Sequence, residues 1–260
     1  MTKGDPSDTH GQTLGRAAGA PEGEPAARLA DVCARRGAVY QALALGLGDP
    51  TPAYCEALRS GELHDGLRAA VAWLGDDAAV YETAFQALSQ TGSAMVDADP
   101  AVALRDLRVE HARLFTGPGT PAVRCYASQY LDADPRRPSR LNRAAAAFAT
   151  TAYAAEGAAP VAELGELPDH VTIELEFLFS LCRREEDAWD EGATDEALRL
   201  RRALDAFLRE HAGLWLPEFA AAVGAATTSG LYRALSDLLV AHLSVELGEG
   251  SLADDGDAAG

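Results

Sequence analysis

The stretch DHVTIELEFLFSLCRREEDAW, Asp169 to Trp189, decides the fold class. It is far too long for a strand, and from Val171 to Leu181 its apolar residues point nearly all the way round a 3.6-residue turn. A helix apolar on every side must be packed on several sides. Pro168 and Asp169 supply the start signal, and the rest of the chain has to supply the neighbours.

Working outward, the dominant period on both sides is also that of helices. Leu29, Val32, Cys33, Arg36, Tyr40, Leu43 and Leu47 make one stripe, stopped by Asp49-Pro50. Thr51 followed by Pro52 reads as an N-cap and first helical residue. Short helices are predicted around Leu63–Leu74 and Asp77–Gln90. Asp99-Pro100 repeats the start signal for a helix carrying Leu104, Leu107, His111, Leu114 and Phe115 on one face and ending at Gly117. A helix is expected from about Arg140 to Ala155. Thr194 is expected to cap another, with Leu200, Leu204, Phe207, Leu208 and His211 aligned and Gly213 ending it. A short helix follows with Pro217 in its first turn. Thr228 or Ser229 caps the last, which aligns Leu231, Leu235, Leu238 and His242. No alternating run is long enough for a strand. The expectation is an all-α fold: a single helical domain of nine to eleven helices over 25–247, in two loosely defined halves with a soft boundary near Gly157–Gly165. Residues 1–24 and 248–260, rich in Gly, Pro and polar residues, are expected to be disordered.

Composition narrows the function. Forty acids against 22 bases give a net charge of -18, a field that repels nucleic acid and anionic membranes and attracts Arg-rich segments. Lys3 is the only lysine, which excludes a phosphate loop ending in G-K-[ST]. Cys33, Cys55, Cys125 and Cys182 lie far apart with no C-x-x-C pair; three of them fall inside predicted helices, where a free Cys behaves as a small buried hydrophobe, and a reducing, cytoplasmic compartment is expected. No segment reaches the roughly 18 apolar residues of a membrane span, and the N-terminus lacks a secretory apolar run.

Enzyme signatures are poorly supported. Gly117 to Ala122, GPGTPA, formally matches a dinucleotide turn, but a helix precedes it where a strand is needed. Glu166, His170 and Glu174 lie at i, i+4 and i+8, a spacing that can hold a metal, and they are the only basis for a metal-dependent hydrolase. Against that, the segment reads simply as a helix N-terminus, with Asp169 as cap and Glu174 orienting His170. His111, His211 and His242 fall on apolar stripes and are expected to bond to backbone. ARRGAVYQALALGLG, Ala34 to Gly48, superficially resembles a twin-arginine export signal, but its amphipathic stripe makes it the first helix of the domain.

One irregular stretch interrupts the helices. Val109 to Arg140 carries Gly117, Pro118, Gly119, Pro121, Pro135 and Pro138, with Tyr126 and Tyr130 among them. A loop this long in a compact domain is usually functional or disordered. Here EHARLFTGPG, Glu110 to Gly119, and CYASQY, Cys125 to Tyr130, resemble the E-x-x-x-L-F-x-G-P-G and P-[YW]-x-S-x-Y block of the TorD/DmsD/NarJ chaperones. LPDHVTIELEFL, Leu167 to Leu178, is similar to that family's P-D-H block. FLREHAGLWLPEF, Phe207 to Phe219, resembles its F-L-x-x-H-x-x-x-W-x-x-x-F block, and LYRALSDLL, Leu231 to Leu239, its closing helix. The four blocks stand in the family's order, over roughly Arg28 to Leu247. Cys125 departs from the usual proline, and His111 from the usual aromatic.

The resemblance implies a non-enzymatic, cytoplasmic chaperone for a molybdopterin oxidoreductase. Its partners would be the apo-catalytic subunit and that subunit's twin-arginine signal peptide, held until the cofactor is inserted. It implies no resident cofactor; weak guanine nucleotide binding comes to this chain by resemblance alone. The peptide-binding residues it implies are Leu114, Phe115, Gly117, Pro118 and Gly119 before the loop, Tyr126, Ser128 and Tyr130 within it, and Asp169 and His170 across a groove, with Glu110 and Glu174 adjacent. A carboxylate such as Asp169 beside an apolar, aromatic-bearing groove suits guanidinium groups followed by an apolar segment. A NarJ-type assembly factor for a non-exported subunit is the alternative within the same fold, as a monomer or a domain-swapped dimer. A passive helical scaffold is a third reading.

Overall fold

The computed structural model describes residues 23–117, 119–131, 143–158 and 167–248. The expected tails (apart from Gly23, Glu24 and Gly248), Pro118, Glu166 and residues 159–165 of the expected boundary lie outside them. The described chain is helical, without a strand. The one β pairing among these residues is an isolated antiparallel bridge between Tyr126 and His170.

The central helix, α7 (Val171–Asp190), buries Val171, Ile173, Glu174, Leu175, Phe177, Leu178, Leu181 and Cys182. Helix α1 (Gly23–Leu47) runs against it on one side and α8 (Thr194–Phe207) on another, which accounts for its all-round apolar surface. In α1 the stripe from Cys33 to Leu47 faces inward, but Leu29 is exposed, so the buried face starts later than the periodicity predicts. Helix α10 (Gly230–Gly248) packs on α4 (Glu82–Met95) and α9 (Gly213–Ala226), and the buried apolar residues form one continuous cluster.

The caps at Thr51 and Asp99 are as read. The Thr51 hydroxyl accepts the Tyr54 amide at 3.2 Å to start α2 (Pro52–Ser60). The Asp99 carboxylate accepts the Ala101 and Val102 amides at 2.9 and 3.2 Å to start α5 (Pro100–His111). Other boundaries differ. Helix α3 (Glu62–Val71) gives way to a 3-10 stretch, Ala72–Tyr81, in which Gly75 is non-helical with φ 58°, so the helix expected from Asp77 begins only at Glu82. Thr194 is the first residue of α8 rather than its cap.

Gly213 does not end a helix. Leu208–Ala212 forms a π turn that runs straight into α9, and a Cβ at Gly213 would stand 2.7 Å from the Leu208 carbonyl oxygen. The same arrangement closes α5: Ala112–Thr116 is a π turn, and a Cβ at Gly117 would stand 2.7 Å from the Ala112 carbonyl oxygen. Each glycine sits where a widened turn brings backbone too close for a side chain.

A buried ionic group ties α1 to α7 and α10. The Arg36 guanidinium grips the Glu246 carboxylate with both Nε, at 2.7 Å, and Nη2, while Tyr40 donates to the same carboxylate at 3.1 Å. Glu185 of α7 lies 3.7 Å from Arg36. Arg36 therefore belongs on an apolar stripe because its partners are buried with it. Burial alone would raise the Glu246 carboxyl, but Arg36 overrides it and keeps the group below its ordinary range.

Candidate functional site

The irregular stretch is tied at both ends by backbone hydrogen bonds. The π turn at Ala112–Thr116 ends the helix and leaves carbonyls free. The Arg113 and Leu114 oxygens accept the Ala122 and Val123 amides at 3.4 and 2.9 Å, so the chain folds back on the helix it has left. Further on, the Ala127 amide donates to the Asp169 carbonyl and the Val171 amide to the Cys125 carbonyl, each at 2.9 Å. These bonds frame the Tyr126–His170 bridge. A short 3-10 turn, Ala127–Gln129, then sits on the N-terminus of α7.

Asp169 lies beneath that turn and is fully buried. Its Oδ2 accepts the Ser128 amide at 3.0 Å, and its Oδ1 has no hydrogen-bond partner among the described residues. His170, not Asp169, is the N-cap of α7: its Nδ1 accepts the Thr172 amide at 3.3 Å and meets the Thr172 hydroxyl at 2.8 Å. The Tyr126 ring stands edge-on to His170 with centroids 5.1 Å apart. Tyr130 lies over Trp215 at 5.4 Å, and its hydroxyl donates to the Arg124 carbonyl at 2.8 Å.

Glu174 corrects the metal reading. It does not orient His170 or share a ligand face with it. It is fully buried, accepting the Trp215 indole N–H at 2.9 Å and meeting His211 Nε2 at 2.7 Å. Burial pushes its carboxyl up, against the pull of His211 and Trp215. Among the described residues no group of three or more His, Cys, Asp or Glu is placed to hold a metal.

The histidine expectation holds in one case of three. His111 Nε2 lies 3.3 Å from the Leu47 carbonyl, and its ring packs edge-on to Phe115, so it fills the place of an aromatic. His211 bonds a carboxylate instead, and His242 Nδ1 meets the Tyr81 hydroxyl at 2.9 Å.

Ten of the twelve residues expected at the peptide site are buried or half-buried. Leu114, Phe115, Ser128, Asp169 and Glu174 are buried, and Glu110, Gly117, Tyr126, Tyr130 and His170 are half-buried. Only Gly119 is fully open, and Pro118 lies outside the described residues. Phe115 stacks on Phe219, Phe219 meets Trp215 edge-on, and Trp215 reaches both Tyr130 and Glu174. Glu110 is engaged as well, with two bonds from Arg113 at 2.8 Å, one from the Thr227 hydroxyl at 2.9 Å and one from the Thr228 amide at 3.0 Å. Led by Arg113, these donors hold its carboxyl down at about 2. The partnerships of Trp215, Thr227 and Thr228 have no local signal in the sequence, although Trp215 stands in a recognisable block.

Three of the four blocks meet around Trp215 and Glu174, and the fourth joins them where Tyr232 packs edge-on to Phe115, 5.6 Å away. The nitrate reductase delta subunit family matches residues 74–221. The chain belongs to that family. It is the group of NarJ- and TorD-type chaperones whose blocks the sequence resembles, a molybdoenzyme assembly family rather than a family of enzymes. The selenate reductase assembly chaperone protein of Thauera selenatis is 43% identical over 88 residues, covering 32% of this chain and 43% of the relative. The match thus spans less than half of the relative's length. No solved structure matches. In this chain backbone hydrogen bonds join the loop to the α7 N-terminus, and beneath them one buried carboxylate oxygen has no partner among the described residues. No helix among the described residues is long and apolar enough to cross a membrane.

Proposed function

We propose that this chain is a cytoplasmic, system-specific chaperone, without enzymatic activity. It binds the twin-arginine signal peptide and the apo-form of a molybdopterin oxidoreductase catalytic subunit and holds it for cofactor insertion. Family membership supports the class of client. The observation that carries the peptide reading is Asp169 Oδ1, a buried carboxylate oxygen with no donor among the described residues. Such an orphan is costly, and a guanidinium, which offers two parallel N–H groups to a carboxylate, satisfies both oxygens at once. For it to enter, the turn at Ala127–Gln129 must lift and release the Ser128 amide. The incoming guanidinium carries charge on the donor as well and makes two parallel bonds where the amide makes one. The loop is then a latch over the receptor rather than a fixed wall.

The second reading is a NarJ-type factor for a subunit that is not exported, favoured by the match to the nitrate reductase delta subunit family itself. A twin-arginine signal on the client separates the two.

The test is to express the client's catalytic subunit with and without this chain, recover the complex by an affinity tag, and measure bound molybdopterin. The expected result is a complex with the cofactor-free subunit and a several-fold loss of cofactor loading when the chain is absent. Full loading without the chain, and no complex, would refute the chaperone reading.

A further inference from the structure

Helix α5 buries Ala103, Leu107 and His111 and turns Val102, Arg105, Asp106 and Val109 outward. These four stand at i, i+3, i+4 and i+7, so they share one exposed face. Val109, 63% exposed, is the most exposed large hydrophobic residue described, and Val102 is 40% exposed. A shallow hollow flanks the face on each side. One, of about 420 Å³, is lined by Met95, Ala98, Asp106 and Glu110 among others. The other, of about 440 Å³, is lined by Ala101, Leu104, Arg108 and Ala112 among others. Val109 borders both, a ridge between two grooves.

The order of residues on this helix reads alike from either end. Val102 to Val109 is VALRDLRV: valine at each end, leucine third from each end, and two opposite charges, Arg105-Asp106, at the centre. Two antiparallel copies, related by a two-fold axis between Arg105 and Asp106, set Val102 against Val109 and Arg105 against Asp106, each twice over. A two-fold interface requires this self-complementarity, with residue i meeting j and j meeting i. Within one chain Arg105 reaches Asp106 at 2.7 Å, but both side chains are more than half exposed, so that contact stabilises little and is readily exchanged for one across the interface.

Charge favours a second copy here. From Pro100 to Arg113 the chain carries three arginines and two acids, in a protein of net charge -18. The face therefore lacks the acidic excess that keeps copies apart elsewhere, and it offers nothing to an arginine-bearing peptide. At physiological salt a Debye length of about 8 Å screens the charges farther off.

We infer that α5 is the contact face of a two-fold dimer of this chain, in which the two α5 helices lie antiparallel and no element is exchanged. Asp169 and the Ala127–Gln129 turn take no part in it, so the dimer stands or falls apart from the peptide-binding reading.

Sedimentation velocity of the full chain over a concentration series tests this, with Arg105→Asp, Asp106→Arg, the double variant and an equimolar mixture of the two single variants. Each single variant sets like charges against each other twice and should weaken self-association at least about tenfold. The double variant restores opposite charges and should recover most of the affinity. The mixture should give a heterodimer, because two acids in one chain then meet two arginines in the other. Thermal melting of every variant should match the unaltered chain, since both positions are exposed. An unaltered chain that stays monomeric at about 100 μM would overturn the proposal. So would a dimer that none of these changes affects, as expected of a domain-swapped one, or single variants rescued neither by the double change nor by mixing. Variants that lose the client's catalytic subunit while self-association is unchanged would also overturn it, and would give the face to the client.

Discussion

One carboxylate oxygen of Asp169 accepts the Ser128 amide at 3.0 Å, and the other, also buried, has no partner among the described residues. On the proposed peptide-binding reading Asp169 has two separable roles, a hydrogen-bond acceptor that holds the loop and a charge that meets the peptide. Asp169→Asn keeps an acceptor for Ser128 and removes the charge, so its stability should stay within about 1 kcal/mol while peptide affinity falls. Asp169→Ala also strands the Ser128 N–H and should lose about 1–3 kcal/mol. Chemical denaturation of both variants, next to a binding titration, checks the separation. Equal stability losses would mean that the charge itself holds the latch.

Glu174 joins α7 to the π turn and α9 through His211 and Trp215. Glu174→Ala would leave two buried polar groups without partners, and a loss of about 3–5 kcal/mol is expected. Urea unfolding measures it. Peptide affinity lost with stability unchanged would instead return Glu174 to the binding set.

How far the sequence carried this picture varies from residue to residue. Thr51 and Asp99 were legible as caps because capping depends on neighbours two or three residues away. The inward stripe of α1 was legible for a similar reason, since a periodic pattern is local. The π turns were not, because their only sign is a glycine placed five residues after the turn begins, and Gly213 reads equally well as a stop. The site shows the same division. The block containing Glu174 could be recognised, but its partners His211 and Trp215 lie 37 and 41 residues away, and nothing in the local sequence names them. Arg36 paired with Glu246, 210 residues on, is the extreme case.

Glu110 gives a pH signature. Its folded carboxyl sits at about 2, below the ordinary 4.5, so its contribution to stability is complete above about pH 4.5 and is lost as pH falls toward 2. Because Arg113 is partly exposed, solvent screening reduces the contribution to on the order of 1–2 kcal/mol. At pH 7 Glu110→Gln should be less stable by about that amount, and the gap should close between pH 4.5 and 2. Melting temperatures of the two proteins across that range decide it.

His242 acts in a different window. Complete burial pushes its imidazole down to about 4 from 6.5, so between those values the unfolded chain takes up the proton more readily than the folded one. Stability should therefore fall as pH drops from 6.5 to 4, by an amount on the order of 2–3 kcal/mol. His242→Gln, which keeps a polar partner for Tyr81, should flatten that part of the profile. An unchanged slope in the variant would assign the acid sensitivity to another group.

On the proposed reading, the latched loop covers an arginine receptor. Calorimetric titration of the purified chain with a twin-arginine signal peptide, at two salt concentrations, tests it most directly, with the same peptide carrying Ala-Ala as the comparison. Micromolar-range binding is expected that weakens with salt, falls for the Ala-Ala peptide and falls again in Asp169→Asn. Equal affinity for both peptides, indifferent to salt and to Asp169→Asn, would contradict it.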